Sequence, residues 1–429
     1  MGGFADVDAT WRLFLVNNAL SCVAPILILI SRVWSDAVLK IRLEARQLTL
    51  HCPLPLSPHW SLSSLRRSLR PRIPSSSPSI LPDSIAIGWA RSGAPLIRAA
   101  LRLFRSVCGA RSSAGNLSME MEKARLTPFP REQAATRICM VSSFATELLE
   151  IKSKEPSLHV LVIPGNPGIA AFYKDFVEAL YENLGGQASI TAVGHISHSQ
   201  KDSEHGRLFS LYEQIEHKVD FIEQELQHSE QSIILVGHSI GAYIGLEVFK
   251  RLQNKIKMSV GLYPFLKLNK NSVAQSAIGY IAGSSLLSKG VSLFASFIGS
   301  LQPSITRGIV RRFLGPSWSI TAVDVACGHL LKYNTMRNVL FMAMTEFQKL
   351  TEEPDWTFIR AKEDKIAFLF GVDDHWGPLS HLEEISKRAP GVTLSVETEG
   401  HTHGYCCNEA GSFWVADYIA NLIKNQKPH

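Results

Sequence analysis

A chain of 429 residues with 45% hydrophobic and 19% charged residues has the make-up of one large globular domain with extensions. Its formal charge of +6 is unevenly spread: residues 1–139 hold 18 Lys+Arg against 8 Asp+Glu, and the remainder 26 against 30. The basic excess is confined to a segment without a readable folded face, which argues against a nucleic-acid partner. Seven cysteines without paired spacing, a CxxC pair or a Cys/His zinc pattern argue against a disulfide framework and a metal site, and favour a reducing compartment.

The first 139 residues read as a separate text. Leu13–Ile30 is apolar but interrupted by Asn17, Asn18, Ser21 and Pro25. Arg12 alone precedes it as a basic residue, and Asp6 and Asp8 flank it, a poor match to a secretory signal. A membrane anchor at the lower limit of length, an Arg/Ser-rich organellar transit peptide and an extension without a role before Met140 remain as readings. Runs such as Pro71–Pro78 (PRIPSSSP) bury too little apolar area to offset chain entropy, so 51–135 reads as disordered.

From residue 140 the pattern becomes regular. Phe144–Ile151 and His159–Ile163 read as strands, Phe172–Asn183 as a helix and Ser189–Gly194 as a strand. Leu211, Ile215, Val219, Ile222 and Leu226, three or four apart, mark an amphipathic helix. Ser232–Val236 reads as a buried strand, Ile240–Leu252 as a helix and Met258–Leu262 as a strand. Alternation at this pace predicts an α/β domain over 140–429 with a mostly parallel sheet flanked by helices. The alternation resumes with Ile366–Phe370, Thr393–Val396 and a helix from Glu409 to Lys424. Between the halves, Leu266–Trp356 is helical in tone. It holds the apolar run Ser284–Ser300, with Lys289 its one charge, followed by Arg307, Arg311 and Arg312. An insertion there is expected to cap the carboxyl edge of the sheet.

Gly237-His238-Ser239-Ile240-Gly241 matches G-x-S-x-G. Alone the pattern is weak. Its context is a strand running in and a helix running out, which is the condition for a nucleophile elbow on an α/β-hydrolase fold. A serine hydroxyl needs a base to take its proton and a carboxylate to orient that base. In this fold the chain order is Ser, then Asp/Glu, then His. Asp374 follows the strand Ile366–Phe370, with Asp373 beside it as the alternative. His403 follows Thr393–Val396 and precedes the last helix, with His401 as the alternative; His403 is favoured because a small residue and an aromatic follow it. The backbone N–H groups of Ile240 and of Asn166, in the loop Pro164–Gly168, are the expected oxyanion donors. This chemistry needs no cofactor.

VIPGNPG with Phe172-Tyr173, the helix carrying Gln214–Lys218, VGHSIGAY ending at Tyr243 and Leu262-Tyr-Pro264 together resemble the lipid droplet-associated hydrolases over about residues 142–425. The resemblance implies an α/β-hydrolase fold, residence on lipid droplets and the cytosolic face of the endoplasmic reticulum, and an esterase role in lipid storage, often framed as sterol-ester hydrolysis. Carried over, it implies Ser239 as nucleophile, Asp374 as acid and His403 as base. The apolar insertion beside its arginines has the composition of a segment lying in a phospholipid monolayer, or of a plain substrate lid. The alternative to an esterase is a droplet-organising protein that keeps the fold with a weak hydrolytic site.

Overall fold

The computed structural model describes residues 132–200, 204–227 and 231–425. The apolar stretch Leu13–Ile30 and the basic Ser/Pro/Arg-rich segment lie, up to residue 131, outside them. The chain runs β1 (Ala135–Val141), β2 (Phe144–Ile151), β3 (Leu158–Ile163), α1 (Lys174–Asn183), β4 (Ala188–Val193), α2 (Leu211–Glu225), β5 (Ile233–His238), α3 (Ile240–Arg251) and β6 (Ile256–Leu262). Six helices follow: α4 (Val273–Gly283), α5 (Ser285–Gly299), α6 (Pro303–Leu314), α7 (Ile320–Val325), α8 (Tyr333–Lys349) and α9 (Trp356–Ala361). Then come β7 (Ile366–Gly371), α10 (Leu379–Arg388), β8 (Thr393–Glu397) and α11 (Glu409–Lys424).

The strands form one sheet in the order β1-β2-β4-β3-β5-β6-β7-β8. β2 runs antiparallel to β1 and β4, and every pairing from β4 to β8 is parallel. This is an α/β-hydrolase sheet. Every residue of β5 and β7 is buried, as strands covered by helices on both faces must be. α2 starts on a reciprocal cap: Ser210 accepts from the Glu213 N–H, and the Glu213 carboxylate accepts from the Ser210 N–H.

The expected domain boundary at residue 140 is too late. β1 begins at Ala135 and all seven of its residues pair with β2. As an edge strand it has one partner and mostly exposed side chains, so it lacks the apolar alternation that marks a strand. Arg137 ties it down through Glu150 at 3.1 Å and Glu225 at 3.0 Å.

The helices between β6 and β7 pack α5 on α8 and α8 on α4. α5 carries apolar side chains on both of its faces. Ser288 and Ser292 face inward beside Val291, Ala295 and Ile298. Leu286, Leu293 and Phe297 share the opposite face and are 81%, 62% and 62% exposed. No single described helix is long and apolar enough to cross a membrane, and α4 and α5 meet at 97°.

Candidate active site

Ser239 sits between β5 and α3 with φ of 56° and ψ of −123°, a conformation that a non-glycine residue adopts only under constraint. The constraint is visible. The Ser239 N–H donates to the Leu262 carbonyl at 2.9 Å, and its own carbonyl accepts from Ala242 and Phe265. A Cβ at Gly237 would lie 2.2 Å from the Gly241 carbonyl oxygen, and one at Gly241 would lie 2.2 Å from that of Ile163. Both glycines are therefore required by backbone contact, which explains the motif's spacing.

Asp374, after β7, and His403, after β8, meet with both side chains buried: Nδ1 of His403 lies 2.8 Å from Oδ2 of Asp374. The other oxygen, Oδ1, accepts from the Trp376 N–H at 2.9 Å. Burial opposes ionisation of Asp374, but the His403 charge and these hydrogen bonds outweigh it and hold the carboxyl below its ordinary value. With Nδ1 engaged, Nε2 of His403 has no hydrogen-bond partner among the described residues. Ser239 and His403 line the same cavity without a closed hydrogen bond between them, an arrangement common before substrate binds. The two alternatives lie elsewhere. Asp373 is exposed, and the His401 ring packs on Trp414 at 5.9 Å.

In the loop Pro164–Gly168, prolines 164 and 167 have no N–H. The Gly165 N–H donates to the Tyr173 hydroxyl at 3.0 Å, and the Gly168 N–H to Nδ1 of His198 at 2.8 Å. That leaves the Asn166 N–H as the donor of this loop without a protein acceptor among the described residues. The Ile240 N–H opens α3 and has no intrahelical acceptor. Since a Cβ at Gly165 would stand 3.0 Å from the Ser239 Cβ, the loop lies directly against the serine.

Two supports were not legible as such. Tyr173 accepts from Gly165, so its own proton goes to Nδ1 of His238 at 2.7 Å, and Nε2 of His238 donates to the His403 carbonyl at 2.8 Å. One chain of bonds thus ties the 165 loop, the elbow and the histidine loop. Behind it, Gln214 accepts from the Ile196 N–H and Lys218 donates to the Gly194 carbonyl, holding the segment whose His195 N–H binds the Gly168 carbonyl. Burial pushes the Lys218 amine down to about 7.

The cavity that Ser239 and His403 line is partly open to solvent. Its wall is largely apolar, with Phe172, Phe265, Ile278, Leu340 and Phe347 among the lining residues. Glu346 of α8, missed at the sequence level, is also in that wall. It accepts from Nδ2 of Asn166 at 3.0 Å, and burial pushes its carboxyl up to about 8 despite that bond. Its signal was an acid inside the buried stripe Met336, Val339, Leu340 and Ala343. Among the described residues no group of three or more His, Cys, Asp or Glu is placed to hold a metal ion.

The family model described as lipid-droplet associated hydrolase matches residues 156–406. A protein named lipid droplet-associated hydrolase from Dictyostelium discoideum is 29% identical over 295 residues, covering 65% of this chain and 94% of its own. The proteins of that name from Gallus gallus and Homo sapiens are 28% and 26% identical, over 62% and 65% of this chain and 87% and 89% of their own. Among solved structures, a mutant haloalkane dehalogenase from Agrobacterium tumefaciens aligns over 68% of this chain and 98% of its own with a TM-score of 0.50 at 12% identity, a likeness of fold. With more than half of its length matched by that model, the chain belongs to the lipid-droplet-associated hydrolase family.

Proposed function

We propose that this chain is a serine hydrolase cleaving carboxylic esters of lipids at the surface of lipid droplets. The observation that carries the reading is one cavity holding Ser239, on its constrained turn, together with a His403 ring fixed by Asp374 at 2.8 Å. His403 Nε2 takes the Ser239 proton as Oγ attacks the ester carbonyl, and Asp374 steadies the imidazolium. The N–H groups of Ile240 and Asn166 receive the oxyanion. Collapse of that intermediate expels the alcohol, protonated by His403, and leaves an acyl group on Ser239. Water, deprotonated by the same histidine, then releases the acid.

The apolar wall suits an acyl chain, and the relatives' printed name supports the droplet surface. Leu286, Leu293 and Phe297, with Tyr280 and Ile305 nearby in sequence, offer large apolar side chains to the outside, as a helix lying in a monolayer or membrane interface does. Arg311 and Arg312 are exposed for phospholipid headgroups, whereas Arg307 is paired with Asp324 at 2.7 Å. Among the described residues Cys139, Cys327, Cys406 and Cys407 form no disulfide, which suits the cytosolic face of the endoplasmic reticulum, where a droplet protein would also reside.

The test is labelling of the purified full chain by a fluorophosphonate probe alongside turnover of a p-nitrophenyl ester. Wild type is expected to show both, and Ser239→Ala neither. Equal labelling or equal turnover of the two proteins would overturn the reading.

A further inference from the structure

Away from the serine edge, the cavity wall contains one polar pair, Asn166 and Glu346. The amide nitrogen of Asn166 is fully committed: it donates to the Val339 carbonyl and to Oε1 of Glu346, both at 3.0 Å. A backbone carbonyl can only accept, so the amide orientation is fixed and Oδ1 is its other end. That oxygen is buried and has no hydrogen-bond partner among the described residues. A buried acceptor left unpaired is costly, and such groups are retained where something else completes them. Glu346 is 3% exposed. Burial favours its protonated form at neutral pH, so the oxygen not facing Asn166 carries an O–H donor. An acceptor and a donor thus stand side by side in an apolar wall.

Ligand chemistry follows from that pairing. An ether or ester oxygen only accepts and an ammonium only donates, but an alcohol does both. We propose that Asn166 and Glu346 form a hydroxyl-binding subsite, so that the preferred substrate is an ester whose alcohol part carries a free hydroxyl close to the scissile bond, as partial glycerides do. The inference rests on the proposed hydrolase reading for its distance argument. Asn166 offers its N–H to the reacting carbonyl, and its loop packs against Ser239, so its side chain lies within one residue's reach of that carbonyl. Fully esterified glycerides and sterol esters leave both groups unpaired.

The substrate pair that tests this differs in one proton donor: 1,2-dioleoylglycerol and its 3-O-methyl ether. Wild-type full chain is expected to favour the free hydroxyl in kcat/KM by at least about tenfold, since sites built to bind a hydroxyl discriminate against analogues lacking it. Glu346→Gln should keep the preference, because its amide oxygen accepts from Asn166 and its nitrogen donates to the substrate. Asn166→Leu, which removes the acceptor of the hydroxyl proton, should bring the ratio close to one. No preference in wild type, as when a resident water permanently occupies the pair, overturns the subsite, and so does a preference surviving in Asn166→Leu. The substrate comparison needs no variant, so a misfolded Asn166→Leu leaves the result decisive. Displacement of a fluorescent acylglycerol from the Ser239→Ala protein repeats the comparison without chemistry. A chain inactive on every ester therefore refutes the hydrolase reading while the subsite is still decided by binding.

Discussion

The core strands of the sheet bury their apolar side chains completely, whereas α5, inserted between β6 and β7, buries one apolar face and leaves another outside. In β5 and β7 every side chain is covered, and the core strands Val160–Ile163 and Ile234–Val236 are 0% exposed. In α5 two serines lie inside while leucines and a phenylalanine point out. An exposed apolar face of this kind is unfavourable in water and favourable against hydrocarbon, at roughly 25 cal/mol per Å² transferred. The difference teaches that the sheet core is complete without a partner, whereas the outer face of α5 is the surface that the proposed lipid contact would cover. Chemistry and docking should then be separable by mutation.

The largest effect falls on the sheet edge. Ser239→Ala is expected to lower ester turnover by at least about 1,000-fold, and Asp374→Asn by a similar factor through the wrong His403 tautomer. Neither should alter binding of the protein to artificial droplets in a flotation assay. A droplet-binding defect in Ser239→Ala matching its loss of turnover would break the division between the halves.

Next in size is the mirror experiment on α5. Replacing Leu286, Leu293 and Phe297 together by Asp should reduce flotation with triolein droplets by at least about 100-fold, since full burial is worth roughly 1.5–3 kcal/mol for each such side chain and an interface covers them only in part. Turnover of a water-soluble p-nitrophenyl ester should hold, because none of the three lines the cavity. A single Val291→Asp on the buried face should instead unfold the insertion. Undiminished flotation of the triple variant would assign droplet binding to another region.

The same contrast decides what was legible in advance. Parallel strands and amphipathic helices announce themselves by periodicity, so Phe144–Ile151 and Glu409–Lys424 are found where the pattern put them. β1 escaped because a hairpin strand at the sheet edge has little to bury. α10, whose single buried residue is Ile385, carries too little apolar signal to read as a helix. Within the site, motif and chain order narrow the choices to two carboxylates and two histidines. They cannot choose between neighbours, because the turn of the loop decides where each side chain goes: His401 goes to Trp414 and His403 to Asp374. Glu346 was hidden for a different reason, since a lone acid on a helix ordinarily marks a solvated face.

Where the two halves touch, Glu346 gives a smaller and pH-dependent prediction. Its carboxyl holds a proton in the folded protein up to about pH 8 against an ordinary value of 4.5. The folded state then binds more protons than the unfolded chain across that window, so its contribution to stability falls as pH rises. Glu346→Gln lacks that penalty. Its stability relative to wild type is expected to grow from about pH 5 to pH 8 by one to a few kcal/mol in urea denaturation. A gap that is flat or shrinking with pH would show that the carboxylate is better solvated than its burial implies.

The smallest effect tests whether the sheet half holds its chemistry by a single chain of hydrogen bonds. Tyr173→Phe keeps the ring, which packs edge-on to His238 and Tyr405, and deletes only the hydroxyl. The Gly165 N–H and Nδ1 of His238 both lose their partner in a buried setting, at about 1–3 kcal/mol each. Part of that cost should be relieved by shifts of the 165 loop and of His238, which also holds the His403 carbonyl. The expected readout is a kcat lowered by about tenfold with KM nearly unchanged, since the deleted group orients the donors and base rather than the lipid. A change confined to KM would instead mean that Tyr173 shapes the lipid-binding wall, and the hydrogen-bond chain would lose its place in the chemistry.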